Sequence, residues 1–137
     1  MKSYTDLEQS KKLTEILPIE SVDMYYKYVL PKSDKIHYIP EIGNPVDSLK
    51  WYNEGYTFRG KREPITLSEY CIPCWSLAAL LDVLPFPQLS KDKLGSGKEG
   101  WMVSVYPDNC RYDSSWHDNL VGASYEMIIN LHELNLL

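Results

Sequence analysis

The chain has 137 residues, 44% of them hydrophobic and 24% charged, the make-up of an ordinary folded protein and not of a disordered one. A chain of this length is expected to build one domain around one core, over residues 1–137. Its formal charge of −5 is uneven: residues 1–68 carry ten Lys+Arg against ten Asp+Glu, and residues 69–137 carry four against nine. An acidic chain with pI ≈ 5.1 disfavours nucleic acid as a partner, since phosphate backbones select a basic stripe. The most apolar stretch, Trp75 to Leu84, is broken by Ser76 and Asp82 and falls short of the roughly 20 apolar residues of a membrane span, so no membrane partner is expected.

The N-terminal MKSYTDLEQSKKL has neither an apolar h-region nor a small-residue cleavage site, so a cytoplasmic protein is expected. Three cysteines are too few and odd in number for a secreted disulfide scaffold, which agrees with a reducing compartment.

In chain order, Thr5 and Glu8 match a capping box, and Leu7, Leu13, Ile16 and Leu17 share a helical face, predicting a helix over 6–17 that Pro18 ends. Tyr- and Val-rich residues 24–30, the turn chemistry of Pro31-Lys32-Ser33-Asp34 and Ile36 to Ile39 predict a hairpin. Residues 40–66, rich in Pro, Gly, Asn and Asp, read as loop with a short helical turn near Val46 to Trp51. Pro73 suits the first turn of a helix carrying Trp75, Leu77, Ala78, Leu80, Leu81 and Leu84 and closed by Pro85 and Pro87. Residues 90–100 (SKDKLGSGKEG) read as an exposed loop, and Gly95-Ser96-Gly97-Lys98 within it lacks the flanking strand and helix of a phosphate-binding loop. Trp101 to Tyr106, a Pro107-Asp108-Asn109 turn and Cys110 to Trp116 predict a second hairpin. A last helix over 118–136 places Leu120, Val121, Ser124, Met127, Ile128, Leu131 and Leu134 on one face. The order α-ββ-α-ββ-α defines an α+β fold, a small antiparallel sheet from two hairpins packed with about three helices.

Four places in the chain could carry chemistry. Cys71-Ile72-Pro73-Cys74 before the central helix imitates a thioredoxin-like motif, since a helix N-terminus lowers a thiol pKa, although no βαβ unit surrounds it and two buried thiols explain it as well. Cys71, Cys74, Cys110 and His117 have the donor types of a zinc set without its usual spacing. In CRYDSSWHD (110–118), strand alternation puts Cys110 and His117 on opposite faces. It puts Asp113, Ser115 and His117 on one face about 6.6 Å apart in line, too far for a triad. Ser114, Ser115 or Asp118 then caps the last helix, with His117 beside the cap. His132 complements the C-terminal end of that helix, and His37 reads as a half-buried hairpin residue.

The fourth place is aromatic. With 11 Tyr and 4 Trp against 2 Phe, most rings carry a polar handle. Trp51, Tyr52, Tyr56 and Phe58 lead into Arg59, Lys61 and Arg62, and Trp, Tyr and Arg are the residues enriched at binding hot spots. Trp51, Tyr52, Tyr56, Arg59, Lys61 and Arg62 are therefore the expected contact residues for a protein partner, in a non-enzymatic module with no catalytic residue and no cofactor. The competing expectation is a thiol-redox or zinc-dependent protein centred on Cys71 and Cys74.

Three segments, YTDLEQSKKLTEILP, CWSLAALLDVLP and DNLVGASYEMIINLHELNLL, give the chain a further likeness. It resembles small uncharacterised proteins carried by prophages and mobile elements of gut Bacteroidales. The resemblance implies an accessory protein of a mobile element and supplies no activity or site residues.

Overall fold

The computed structural model describes residues 2–29, 37–57, 60–61 and 63–137; at Val29, His37, Tyr56, Thr57 and Lys61 it describes the backbone alone. The fold is α+β, with five α-helices and two three-stranded antiparallel sheets among the described residues. Two compact units make up the chain: Asp6–Trp75, here the N-terminal unit, and Met1–Thr5 with Ser76–Leu137, here the C-terminal unit.

The N-terminal unit opens with α1, Leu7–Thr14. Its capping box uses Asp6 and Gln9, one residue later than Thr5 and Glu8: the Gln9 N–H donates to Asp6 Oδ1 at 2.8 Å and the Asp6 N–H to Gln9 Oε1 at 3.1 Å. The shift follows from Thr5, which is fully buried in the C-terminal unit, where its neighbour Tyr4 bridges to Ser76. A single 3₁₀ turn, Ile19–Ser21, follows Pro18. The hairpin β1 (Met24–Val29) and β2 (His37–Ile42) pairs in the register Met24↔Ile42 to Val29↔His37. The helical turn expected near Val46 is a full helix, α2 (Pro45–Glu54), with Pro45 in its first turn. Asn44 anchors it, accepting from the Val46 N–H and donating from Nδ2 to the Ile19 and Val22 carbonyls. The two-residue strands β3 (Tyr56–Thr57) and β4 (Gly60–Lys61) pair with each other, and a single turn of helix, α3 (Leu67–Tyr70), follows.

The next strand departs from the sequence reading. Cys71–Cys74 forms β5, paired with β1 in the register Met24↔Cys74 to Lys27↔Cys71, and Pro73 lies in this strand instead of a first helical turn. β5 is an edge of the sheet β2-β1-β5, a place that tolerates a residue with no N–H to donate. Trp75, fully buried, closes the unit, its indole N–H donating to Ser21 Oγ at 2.9 Å.

The C-terminal unit begins with α4 (Leu77–Val83), capped by Ser76 through the Ala79 N–H. Gln88–Lys93, most of it expected to be loop, is strand β6, paired along its length with β7 (Glu99–Val105). The glycine-containing tip shrinks to the turn between them, where Gly97 has φ +81°. The returning strand is reduced to β8 (Tyr112–Asp113), followed by a single bridge between Trp101 and His117. α5 (Leu120–Glu133) starts at Asn119, whose Oδ1 accepts from the Gly122 N–H at 2.7 Å; Ser114, Ser115 and Asp118 do not cap it. Its buried face, Val121, Met127, Ile128 and Leu131, lies in the same core as Leu80 of α4 and Val103 and Val105 of β7. Among the described residues, no helix is long and apolar enough to cross a membrane.

Candidate functional site

On α2, Pro45 is buried and Trp51 faces outward, 81% exposed. Its neighbour Tyr52 turns inward against Tyr70 of α3, ring centroids 5.6 Å apart, and Tyr70 meets the buried Tyr25 of β1 at 5.9 Å. Burial, reinforced by Tyr25, pushes the Tyr70 phenol up to about 12, so it stays a neutral hydrogen-bonding group. Trp51, Tyr52 and Tyr70 wall an open cleft of ≈ 580 Å³, with Lys27, Asp47 and Ser48 at its polar margin. Asn53 holds the following segment in place: its Nδ2 donates to the Ile65 carbonyl at 3.1 Å and its Oδ1 accepts from the Ile65 N–H at 3.0 Å.

Of the six expected contact residues, Trp51 and Tyr52 border this cleft. Tyr56 and Lys61 are backbone partners across β3 and β4, with side chains outside the described residues; Arg59 and Arg62 lie outside them altogether. Sequence reasoning missed Tyr25, Lys27 and Tyr70. Tyr25 and Lys27 alternate on β1 and so share a face, which was the available signal; Tyr70 joins them only through the pairing of β1 with β5.

The cysteine motif has the wrong geometry for thiol chemistry. Cys71 and Cys74 sit in β5, both buried, and three residues of separation in a strand send their side chains to opposite faces. Burial pushes the Cys71 thiol up to about 12, the reverse of what a nucleophile needs. The helix begins at Leu77, so neither thiol lies in its first turn. Cys110 is exposed on a turn where its N–H donates to Asp108 Oδ1, and among the described residues no cysteine is joined in a disulfide. Among the described residues, no three His, Cys, Asp or Glu side chains are grouped as ligands of a metal ion would be.

The polar segment 110–118 is bulged. β8 pairs Val105↔Tyr112 and Ser104↔Asp113, but Trp101 pairs with His117, one residue out of that register. The extra residue sits where Ser114 Oγ, in place of a backbone carbonyl, accepts from the Val103 N–H. One added residue reverses the alternation, so Asp113 and His117 lie on opposite faces and not on the common face expected. Asp113 accepts from Ser104 Oγ at 2.6 Å and Arg111 Nε at 2.7 Å, and these bonds hold its carboxyl below the usual range. His117 Nε2 lies 3.5 Å from Glu126 Oε1, and Glu126 Oε2 accepts from the Ser115 N–H. Burial works against the Glu126 charge, but that N–H and the imidazole outweigh it and keep the carboxyl below its ordinary value. These contacts tie the bulged strand to α5, a structural role.

No protein-family model, curated protein or solved structure matches this chain.

Proposed function

We propose that this chain is a non-enzymatic interaction module, an accessory protein of a mobile element, that binds a partner protein through Trp51 and Tyr52 of α2 and the neighbouring Tyr56, Arg59, Lys61 and Arg62. The observation that carries this reading is the 81% exposure of the Trp51 indole on a helix whose other aromatic, Tyr52, is built into a tyrosine cluster. An apolar ring of that size left in water gains by being covered, and Trp is the commonest anchor of interface hot spots. Tyr52 and Tyr70 hold the wall of the cleft rigid, so little ordering entropy is lost when a partner docks. A protein is preferred to nucleic acid because the chain is acidic overall.

The test is capture from extracts of the source cells with wild-type chain and with Trp51→Ala. A partner held by the wild type is expected to be lost, or weakened by roughly tenfold or more, with Trp51→Ala at unchanged melting temperature. Equal capture by Trp51→Ala and by the Arg59→Ala/Arg62→Ala double variant would remove this surface from consideration.

A further inference from the structure

The turn into β6 presents a second surface, independent of the Trp51 face. Phe86 has φ +50° and is 80% exposed. The other non-glycine residues with positive φ among the described residues, Asn109 and Asn135, are of the type that tolerates it; a bulky aromatic is not, and its conformation is strained. The strain is built in locally. Pro87 restricts the residue before it, and the Tyr106 N–H reaches the Pro85 carbonyl at 3.4 Å, tying the turn to the end of β7. The fold thus holds a ring largely out in water in an unfavourable conformation. Strained residues of this kind cluster at functional positions.

Directly after Phe86 and Pro87 runs β6, the outer strand of the sheet β6-β7-β8, exposed along most of its length, with Leu89 46% exposed. Among the described residues no strand pairs with its outer side, which leaves a row of backbone groups as the template onto which an extended segment can add. Charge selects among such segments. Of the four cations in residues 69–137, Lys91, Lys93 and Lys98 lie on the β6–β7 hairpin, while that half of the chain is otherwise acidic. Lys91 is engaged with Glu99 and the Trp101 ring, and Asp92 folds back to accept from the Lys93 N–H, which leaves Lys93 on β6 and Lys98 in the adjoining turn as the cations open to a partner. Lysines and a proline at a strand edge also discourage self-pairing, which accounts for Lys93 and Pro87 but not for an exposed, strained phenylalanine.

We infer that the free edge of β6 is a docking site for an extended acidic segment of another protein, which adds as a further strand while Phe86 and Leu89 cover its apolar residues. The probe is a labelled peptide alternating Val and Glu, with its Lys-for-Glu counterpart as control. The acidic peptide should bind and weaken with added salt, and Phe86→Gly and Lys93→Glu should each weaken it by roughly tenfold. Because glycine adopts positive φ freely, Phe86→Gly should melt at the same temperature as the wild type or higher. The inference is overturned by any of four results: no binding, equal binding of the basic peptide, indifference to both substitutions, or a lower melting temperature for Phe86→Gly. A doubled mass in light scattering that Phe86→Gly abolishes would also overturn it, by making a second copy of this chain the occupant.

Discussion

Trp51 and Trp75 carry the same side chain to opposite fates. Trp75 is fully buried and its indole N–H is satisfied by Ser21 Oγ, so Trp75→Ala opens a large cavity, at a cost of about 3–5 kcal/mol in denaturant unfolding, while the Ser21 hydroxyl keeps its bond to the Pro18 carbonyl. Trp51→Ala removes an exposed ring and should change stability by no more than about 0.5 kcal/mol, which is what makes it a clean probe of binding. The three cysteines divide in the same way. A thiol reagent applied to the native protein should modify Cys110 quickly and leave Cys71 and Cys74 until the chain is unfolded. Three fast thiols, or a first fast thiol at Cys71, would mean that β5 does not shield them.

Among the elements, α5 was the most legible because a broad apolar face recurs over its whole length, a pattern only a helix produces. Its start was not, since Ser114, Ser115, Asp118 and Asn119 are all capping residue types, and the choice is made by the bulge that delivers the chain to Asn119. Asn119→Ala should therefore cost about 1 kcal/mol, read from the denaturation midpoint, whereas Asp118→Ala should cost less than half of that. Equal losses would shift the cap back to Asp118. β6 was illegible for another reason: an outer strand exposed on most of its length has no alternation to display, and its last four residues, SKDK, read as loop. Pro73 misled because proline suits a helical first turn and an edge strand equally, and only the pairing with β1 decides. At the candidate site, Trp51 and Tyr52 were visible from composition. Alternation on β1 put Tyr25 and Lys27 on one face, but that this face meets Tyr70 and α2 is decided by tertiary pairing and packing.

At the scale of the whole molecule, the partly buried titratable groups of the two units are expected to respond to opposite ends of the pH range. In the N-terminal unit, burial raises Cys71 from 9.0 and Tyr70 from 10.0, each to about 12. The folded state thus favours both neutral forms, and the stabilisation is complete below the ordinary values and lost as pH rises toward about 12. In the C-terminal unit, Glu126 is held below its ordinary 4.5, so its contribution is present above that value and disappears as pH falls through the lowered one. Two further carboxyls, Glu69 and Asp113, are also lowered but are solvent-screened, so they add little to this contrast. Methionine offers a reporter in each unit: Met24 on β1 and Met127 in the α5 core. With isotope-labelled methionine methyls, the Met24 signal should lose its native position first as pH is raised, and the Met127 signal first as pH is lowered. Glu126→Gln should flatten the acid limb at Met127, because its side chain can no longer gain a proton, and leave the alkaline limb at Met24 unchanged. If both signals moved together at both ends, the charge at Glu126 and the neutral pair Cys71 and Tyr70 would not be what sets the limits of each unit.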